Sequence, residues 1–405
     1  MPWSANLPRA VLTGGGSVAQ LGGLLSSLGL KRPLLVADSF LASPESGAVD
    51  KVVSALNSSV SGFDVFTDTI PDPTTESVER CVNVLARGAF DSIVALGGGS
   101  PMDTAKAASV LHTHGGQMRD YKAPFIMSQP SLPIVAIPTT AGTGSEATKF
   151  TVITDSETDE KMLCIGLSYL PIAAILDYEL TLTKPFRLTA DTGIDAICHA
   201  MEAYVSAKAN PFSDGLARSA MRKLSRRDGL SLYTACHEAT NANAREQMLI
   251  GSWEAGMAFS NSSVTLIHGM SRPLGAAFHI PHGMCNAMLM PMCTAVSVPG
   301  SVARYAEAAR IMALCVPEAN DEDAANGIHQ SLLKISEDLA VPTLHEFGID
   351  ESTFRNAVPT MAVAALASGS PNNNPVVPTV SEVETLYHAI YDEGLKRASS
   401  AKRQS

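Results

Sequence analysis

Asp195 and His199 stand four residues apart in the stretch Asp191 to Tyr204, and four residues is about one turn of an α-helix. Side chains so spaced share one helical face and reach toward a common point. A carboxylate and an imidazole in that relation are what one helix can offer a divalent metal. Glu202 lies one further turn along the same face, placed to orient a ligand from behind. Two ligands do not close a site. A second stretch supplies His268 and His282, each followed by a glycine, and small neighbours let backbone crowd close to a ligand. One Asp and three His form an all-nitrogen-and-oxygen set with positions left for water or substrate, suited to a catalytic divalent ion. A lone helical Asp/His pair is ordinarily a surface pair or a satisfied core histidine. His112, His114, His237, His329, His345 and His388 are read that way. Two clusters of ligand-type residues in apolar, low-charge surroundings favour the metal.

The elements that must carry these residues divide the chain in two. In the first half, Pro33 to Ala37, Phe63 to Thr67, Ser92 to Leu96, Pro133 to Ile137 and Ala174 to Asp177 read as buried strands. Ala19 to Leu28, Thr75 to Gly88 and Met102 to His112 read as helices between them, and this alternation predicts an α/β domain with a parallel sheet covered on both faces. Thr148 to Thr154 and Met162 to Ile165 form a candidate hairpin. After Pro185 strand-like runs nearly vanish. Helical periodicity takes over at 192–206, 212–224, 229–241, 244–260, 302–315, 322–339 and 380–397. The reading is therefore an α/β domain over residues 1–185 and an all-α domain over 186–405.

Two loops of the first domain suit a dinucleotide. Residues 91–108 read as strand, glycine turn and helix. Gly97, Gly98 and Gly99 let backbone press against a ligand, Ser100 is placed to cap the helix, and Pro101 fits its first position. The free amides there make an anion site for a pyrophosphate. The loop is neither the G-x-G-x-x-G fingerprint nor a P-loop. Gly14-Gly15-Gly16 is a weaker candidate. A second loop, Pro138 to Glu146, crowds hydroxyls and glycines at the carboxyl end of a strand, where phosphates and riboses bind in doubly wound sheets. Asp38 ends the first of the expected strands. A carboxylate there accepts from the two hydroxyls of an adenosine ribose and repels a 2′-phosphate, which favours NAD over NADP.

Composition sets the outer bounds. A chain of 405 residues with 45 % apolar content and a net charge of −11 is an ordinary globular protein. Its acidity argues against nucleic acid as a partner. Its seven cysteines show no CxxC pairing and suggest a reducing compartment. The opening residues show no charged stretch followed by an apolar one, and no apolar run reaches the length of a membrane span. A cytoplasmic enzyme with a small-molecule substrate is the expectation.

Nearly the whole chain resembles the iron-containing (type III) alcohol dehydrogenases. The resemblance rests on Gly97-Gly98-Gly99-Ser100 with Asp103 and Lys106, on Pro138 to Glu146, on Gly193-Ile194-Asp195-Ala196 with His199 and Glu202, and on His268-Gly269 and Pro281-His282-Gly283. It implies an NAD(P)-binding domain, a helical domain, and a metal (Fe²⁺ by family, Zn²⁺ by affinity order) in the cleft between them. The family's ligand pattern falls on Asp195, His199, His268 and His282. Its pyrophosphate loop falls on Gly97 to Ser100, and its nicotinamide and ribose contacts on Thr139, Thr140, Thr143 and Ser145. Lys161 looks like the family's lysine near the cofactor. A homodimer or larger assembly is implied. Two positions depart from the pattern: Arg272 replaces a histidine that many members carry four residues after the third ligand, and Thr265 replaces a usual glycine. Arginine is no base at neutral pH, which leaves His279, or water and ribose hydroxyls, to carry the proton. It also offers a fixed charge to an anionic substrate.

The function so implied is metal-assisted hydride transfer between nicotinamide and an alcohol, aldehyde or ketone. Arg272 keeps open a reductase of an oxo acid or enol acid, of the maleylacetate reductase or hydroxyacid–oxoacid transhydrogenase type. A lyase or cyclase of the dehydroquinate synthase type, using NAD transiently, is a further alternative and would give no net NADH. A non-catalytic metal-stabilised binding protein fits least.

Overall fold

The computed structural model describes residues 3–57, 59–225 and 232–401. Its first half carries β1 (Ala10–Thr13), β2 (Pro33–Asp38), β3 (Asp64–Thr69), β4 (Ser92–Gly97), β5 (Ile134–Pro138), β6 (Phe150–Thr154), β7 (Lys161–Ile165) and β8 (Ala173–Leu176). Six of these form one parallel sheet in the order β1-β8-β5-β4-β2-β3. Helices α1 (Leu21–Ser27), α2 (Ala48–Asn57), α3 (Thr75–Arg87) and α4 (Gly99–His114) connect its strands. Residues 34–37, 92–97 and 134–138 are buried at every position. Strands covered on both faces require such unbroken apolar runs. Separate apolar clusters line the two faces, Leu34, Val36, Ile93 and Ala136 in one and Leu35, Ala37, Val94 and Val135 in the other. β6 and β7 pair antiparallel, from Phe150 opposite Ile165 to Thr154 opposite Lys161, as the expected hairpin.

Among the described residues every regular element from Phe186 on is helical: α5 (Phe186–Val205), α6 (Pro211–Ser225), α7 (Leu232–His237), α8 (Ala242–Ser260), α9 (Leu266–Phe278), α10 (His282–Ser297), α11 (Val302–Ile311), α12 (Asp321–Asp338), α13 (Glu351–Ala367) and α14 (Val380–Ala401), with short 3₁₀ turns between some of them. The helix expected over 229–241 is α7, shorter than its periodicity implies; residues 229–231 lie outside the described residues. α5 is buried on nearly every side, with Ile194, Ile197, Met201 and Tyr204 in the largest apolar cluster. A helix this apolar all round must be central. α6, α8 and α10 pack against it.

The glycine turn departs from expectation in detail. Gly98, in an extended conformation, is the N-cap of α4, and no side chain caps the helix. Ser100 therefore sits in the first turn and Pro101 third in the helix, where its missing N–H costs nothing. Gly97 has φ 149°, and a Cβ there would meet Pro101 Cγ at 2.5 Å, so only glycine fits the turn. The earlier glycine run is closed by protein: Asp177 accepts from the Gly16 and Val18 amides at 3.1 and 3.0 Å.

Lys106, on α4, is fully buried and ties three segments together. Its ammonium donates to Ser145 O and Oγ at 2.8 and 2.9 Å, to Thr148 O and Oγ1 at 3.1 Å, and to Phe150 O at 2.9 Å. Burial pushes its pKa down to about 8, against the attraction of Asp103 and Glu146. Burial likewise pushes those carboxyls up, to about 6 and about 7. Replacing Lys106 with Met removes the one cation these buried acids share and leaves its oxygen cage without a donor. A loss of about 3–5 kcal/mol is expected, read as a lower urea midpoint at unchanged slope.

Candidate metal centre

Four side chains from three helices meet. Asp195 and His199 come from the middle of α5, His268 from the first turn of α9, and His282 from the first residue of α10. One ligand atom from each lies within 4.8 Å of every other. The His199, His268 and His282 Nε2 atoms stand 3.9, 3.5 and 3.8 Å from Asp195 Oδ1. This is the set predicted from spacing, now in one place.

Each imidazole is gripped at its other nitrogen. His199 Nδ1 donates to the Gly142 carbonyl at 3.2 Å, and since a carbonyl only accepts, this bond fixes the proton on Nδ1. His268 Nδ1 bonds Glu202 Oε2. His282 Nδ1 makes a long 3.5 Å contact with the Ser271 hydroxyl. Holding Nδ1 leaves Nε2 free to ligate. Glu202 is itself saturated: its Oε1 accepts from Thr265 Oγ1 at 2.8 Å and from the Ile267 amide at 2.7 Å. Thr265 thus has a use that a glycine could not serve.

The glycines that follow the ligands crowd protein backbone and side chains. A Cβ on Gly283 would meet Asp191 O at 2.7 Å, and one on Gly269 would meet Pro371 Cγ at 2.5 Å. They set how closely α10 approaches α5 and how closely α9 approaches the turn at Pro371.

Sequence reasoning missed Asn286. It lies one turn after His282 on α10 and is fully buried. Its Nδ2 donates to Asp195 Oδ1 at 2.6 Å and lies 3.1 and 3.2 Å from His268 Nε2 and His282 Nε2. The spacing of four from His282 was the available signal. An amide donor within reach of three of the four ligand atoms shows that they share a centre. Its Oδ1 has no partner among the described residues.

The charges agree. Burial alone would raise Asp195, but His199, His282 and His268 hold its carboxyl well below the usual range. Burial pushes His199 and His282 down to about 4, against the pull of Asp195. These two are neutral ligands at neutral pH. Burial would also lower His268, yet Glu202 and Asp195 hold it up at about 9. His282 is the open member, its side chain 42 % accessible. A divalent cation fits this donor set, with one face left toward solvent.

The dinucleotide loops adjoin the centre. Cβ atoms on Gly98 and Gly99 would lie 3.1 and 3.2 Å from Thr140 and Thr143 side-chain atoms, so the glycine turn rests on the threonine loop. Thr139 N donates to Gly97 O at 3.0 Å. The same loop supplies the Gly142 carbonyl to His199. Asp38 ends β2, with Oδ1 accepting from Leu41 N at 2.9 Å. Lys161, on β7, pairs with Asp72 at 3.1 Å, and its charge reaches His282.

Three of the expected site residues also have partners or positions outside the ligand group. Asp103 turns a carboxylate oxygen to the Val152 amide at 3.2 Å, and the Ser145 hydroxyl receives Lys106; both brace the loops. His279 closes α9 at φ 53° with an exposed ring, outside the four-ligand group. The helix ends at Phe278, so His279 does not continue the face of His268.

Comparison with known proteins decides the family. A model described as iron-containing alcohol dehydrogenase matches residues 8–178, and one for the C-terminal part of the Fe-containing alcohol dehydrogenase family matches residues 189–391. The chain belongs to the iron-containing alcohol dehydrogenase family. It is 34 % identical to 1,3-propanediol dehydrogenase of Klebsiella pneumoniae, over 95 % of this chain and 98 % of that one. A crystal structure of 1,3-propanediol oxidoreductase superposes with TM-score 0.90 at 33 % identity, over 96 % and 100 % of the two chains. Sulfoacetaldehyde reductase from Bifidobacterium kashiwanohense, in complex with NAD⁺, gives TM-score 0.84 at 29 % identity over 96 % and 99 %. This family member is an alcohol oxidoreductase.

Two variants test the centre. Glu202→Gln, which weakens the hold on His268, should lower metal affinity about 10–100-fold, measured by competition with a chromophoric chelator. Gly283→Ala should displace the start of α10 against the Asp191 carbonyl and cost about 1–3 kcal/mol, seen in thermal melts together with reduced metal content by mass spectrometry.

Proposed function

We propose that this protein is a divalent-metal-dependent, NAD-linked dehydrogenase that interconverts a small alcohol and its aldehyde or ketone. The observation that carries the reading is the convergence of three imidazole Nε2 atoms on one Asp195 oxygen, beside a loop that also abuts the glycine turn. Asp195, His199, His268 and His282 would hold the metal, and this donor set suits Fe²⁺ or Zn²⁺. Such an ion supplies a Lewis acid that lowers the pKa of an alcohol and polarises a carbonyl, while bound NAD supplies the two-electron acceptor.

The residues of the chain supply the rest. Gly98 and Gly99, with the uncapped first turn of α4, offer amides to a pyrophosphate. Thr139, Thr140 and Thr143 line the same crevice, at the carboxyl end of β5. Asp38 would take the adenosine ribose through Oδ2, which accepts no hydrogen bond among the described residues, and supports NAD over NADP. Gly142 and Glu202 keep the His199 and His268 rings turned so that Nε2 faces the shared ligand centre.

Dialysis against a chelator should abolish alcohol-dependent NADH formation, and Fe²⁺ or Zn²⁺ should restore it. Asp195→Ala should neither retain the ion nor regain activity. Full activity in metal-free protein, or turnover without net NADH, would defeat the reading. Asp38→Gly should raise the NADP-to-NAD ratio of kcat/KM by about tenfold.

A further inference from the structure

Arg272 lies one turn beyond His268 on α9, and so projects from the same face. Its guanidinium donates through one NH group to Ser370 Oγ at 3.0 Å. No carboxylate among the described residues stands within ion-pair distance of it. Glu202 is the one acid whose field it feels, and both Glu202 oxygens are already taken by Thr265, Ile267 and His268. Arg272 is only partly accessible and is surrounded by protein, and burial pulls its pKa down. A sequestered guanidinium without a counter-ion is costly, and the cost is recovered when an anion arrives.

The place where an anion would arrive is set by His282. That ring is the accessible member of the ligand set, and its Nδ1 contacts the hydroxyl of Ser271, the residue next to Arg272 on α9. Lys161 is already paired with Asp72. Arg272 is therefore the unspent charge on the open side of the metal centre.

The geometry points to Arg272 as a specificity-determining residue that binds a carboxylate or sulfonate at the far end of the substrate while its alcohol or carbonyl oxygen sits at the ligand centre. The planar guanidinium presents paired donors that match either group. Four residues, a rise of about 6 Å, separate Arg272 from His268 along α9, which suits a substrate of about two to four carbons. This inference rests on the dehydrogenase reading and names the substrate class of the same site.

The test uses the metal-loaded full chain with NAD. Substrates are 3-hydroxypropanoate and 2-hydroxyethanesulfonate, set against neutral 1-propanol and 1,3-propanediol. The wild type should prefer the anionic members, and Arg272→Gln should lower the anionic-to-neutral ratio of kcat/KM by about 100-fold, the scale of a lost charge-assisted pair. Arg272→Lys, which keeps a charge but not the fork, should give an intermediate ratio. Calorimetric titration with propanoate or ethanesulfonate gives a second readout: binding should be present in the wild type and absent in Arg272→Gln. A wild type that prefers the neutral substrates overturns the inference, as does a ratio unmoved by either variant. A higher KM for NAD with an unmoved ratio would assign Arg272 to the cofactor and overturn it too. Absence of NADH with every substrate would instead count against the dehydrogenase reading, while the calorimetry would still judge Arg272.

Discussion

Three imidazoles held around one buried carboxylate are the constraint on which the rest of the structure depends. Asp195 is 1 % exposed, and an isolated carboxylate so placed would neutralise itself rather than stay charged. It stays charged because the Asn286 amide donates to it and His268, whose pKa is held up at about 9, stands beside it. The imidazoles in turn do not point inward by chance. A backbone carbonyl, a saturated glutamate and a serine hydroxyl set their orientations from behind, so the ligand geometry is stored in bonds the ligands make away from the centre.

That dependence explains why the two halves of the chain fit together so tightly along the threonine loop. A Cβ on Gly144 would meet Gly256 Cα of α8 at 2.6 Å, and one on Gly142 would meet Thr192 Cβ of α5 at 2.5 Å. Backbone therefore lies directly on the helical domain at both points. The Gly142 carbonyl reaches His199 because nothing larger than hydrogen separates the loop from α5. Lys106 fixes the other side of the loop, spending its charge on five oxygens. The threonine loop and a candidate metal ligand are thus parts of one contact, which fits the proposed reaction between a group on the metal and a ring on the dinucleotide.

Much of this was legible in the sequence because the relevant signals were local. Spacing of four gave Asp195 and His199, and unbroken apolar runs gave the central strands. The helices carrying the other two ligands were less visible. α9, α10 and α13 contain Pro273, Pro291 and Pro359, and interior prolines mask a helical pattern that tertiary packing sustains. Asn286 was hidden for the same reason, since its spacing from His282 means little until α10 is known to be a helix. β1 and α2 were missed on other grounds: β1 is a four-residue edge strand, and α2 follows a Ser- and Gly-rich turn. Asp103 and Ser145 sit in the motifs of the cofactor loops, but nothing in the sequence marks their protein partners. Their packing against Val152 and Lys106 is long-range and leaves no local trace.

The position of the site follows from topology as much as from its residues. Asp38, Gly97 and Pro138 end β2, β4 and β5, neighbours in the sheet, and all three strands run the same way. Their carboxyl ends therefore open on one side, which is where a doubly wound sheet binds ligands. The chain leaves the sheet through β8, beside β5, and enters α5 within ten residues of Leu176. That short path leaves α5 no choice but to begin near the same edge. With the Thr192 end of α5 laid on Gly142, the next turn brings Asp195 and the one after it His199. A metal carried by α5 would then face the crevice at those carboxyl ends.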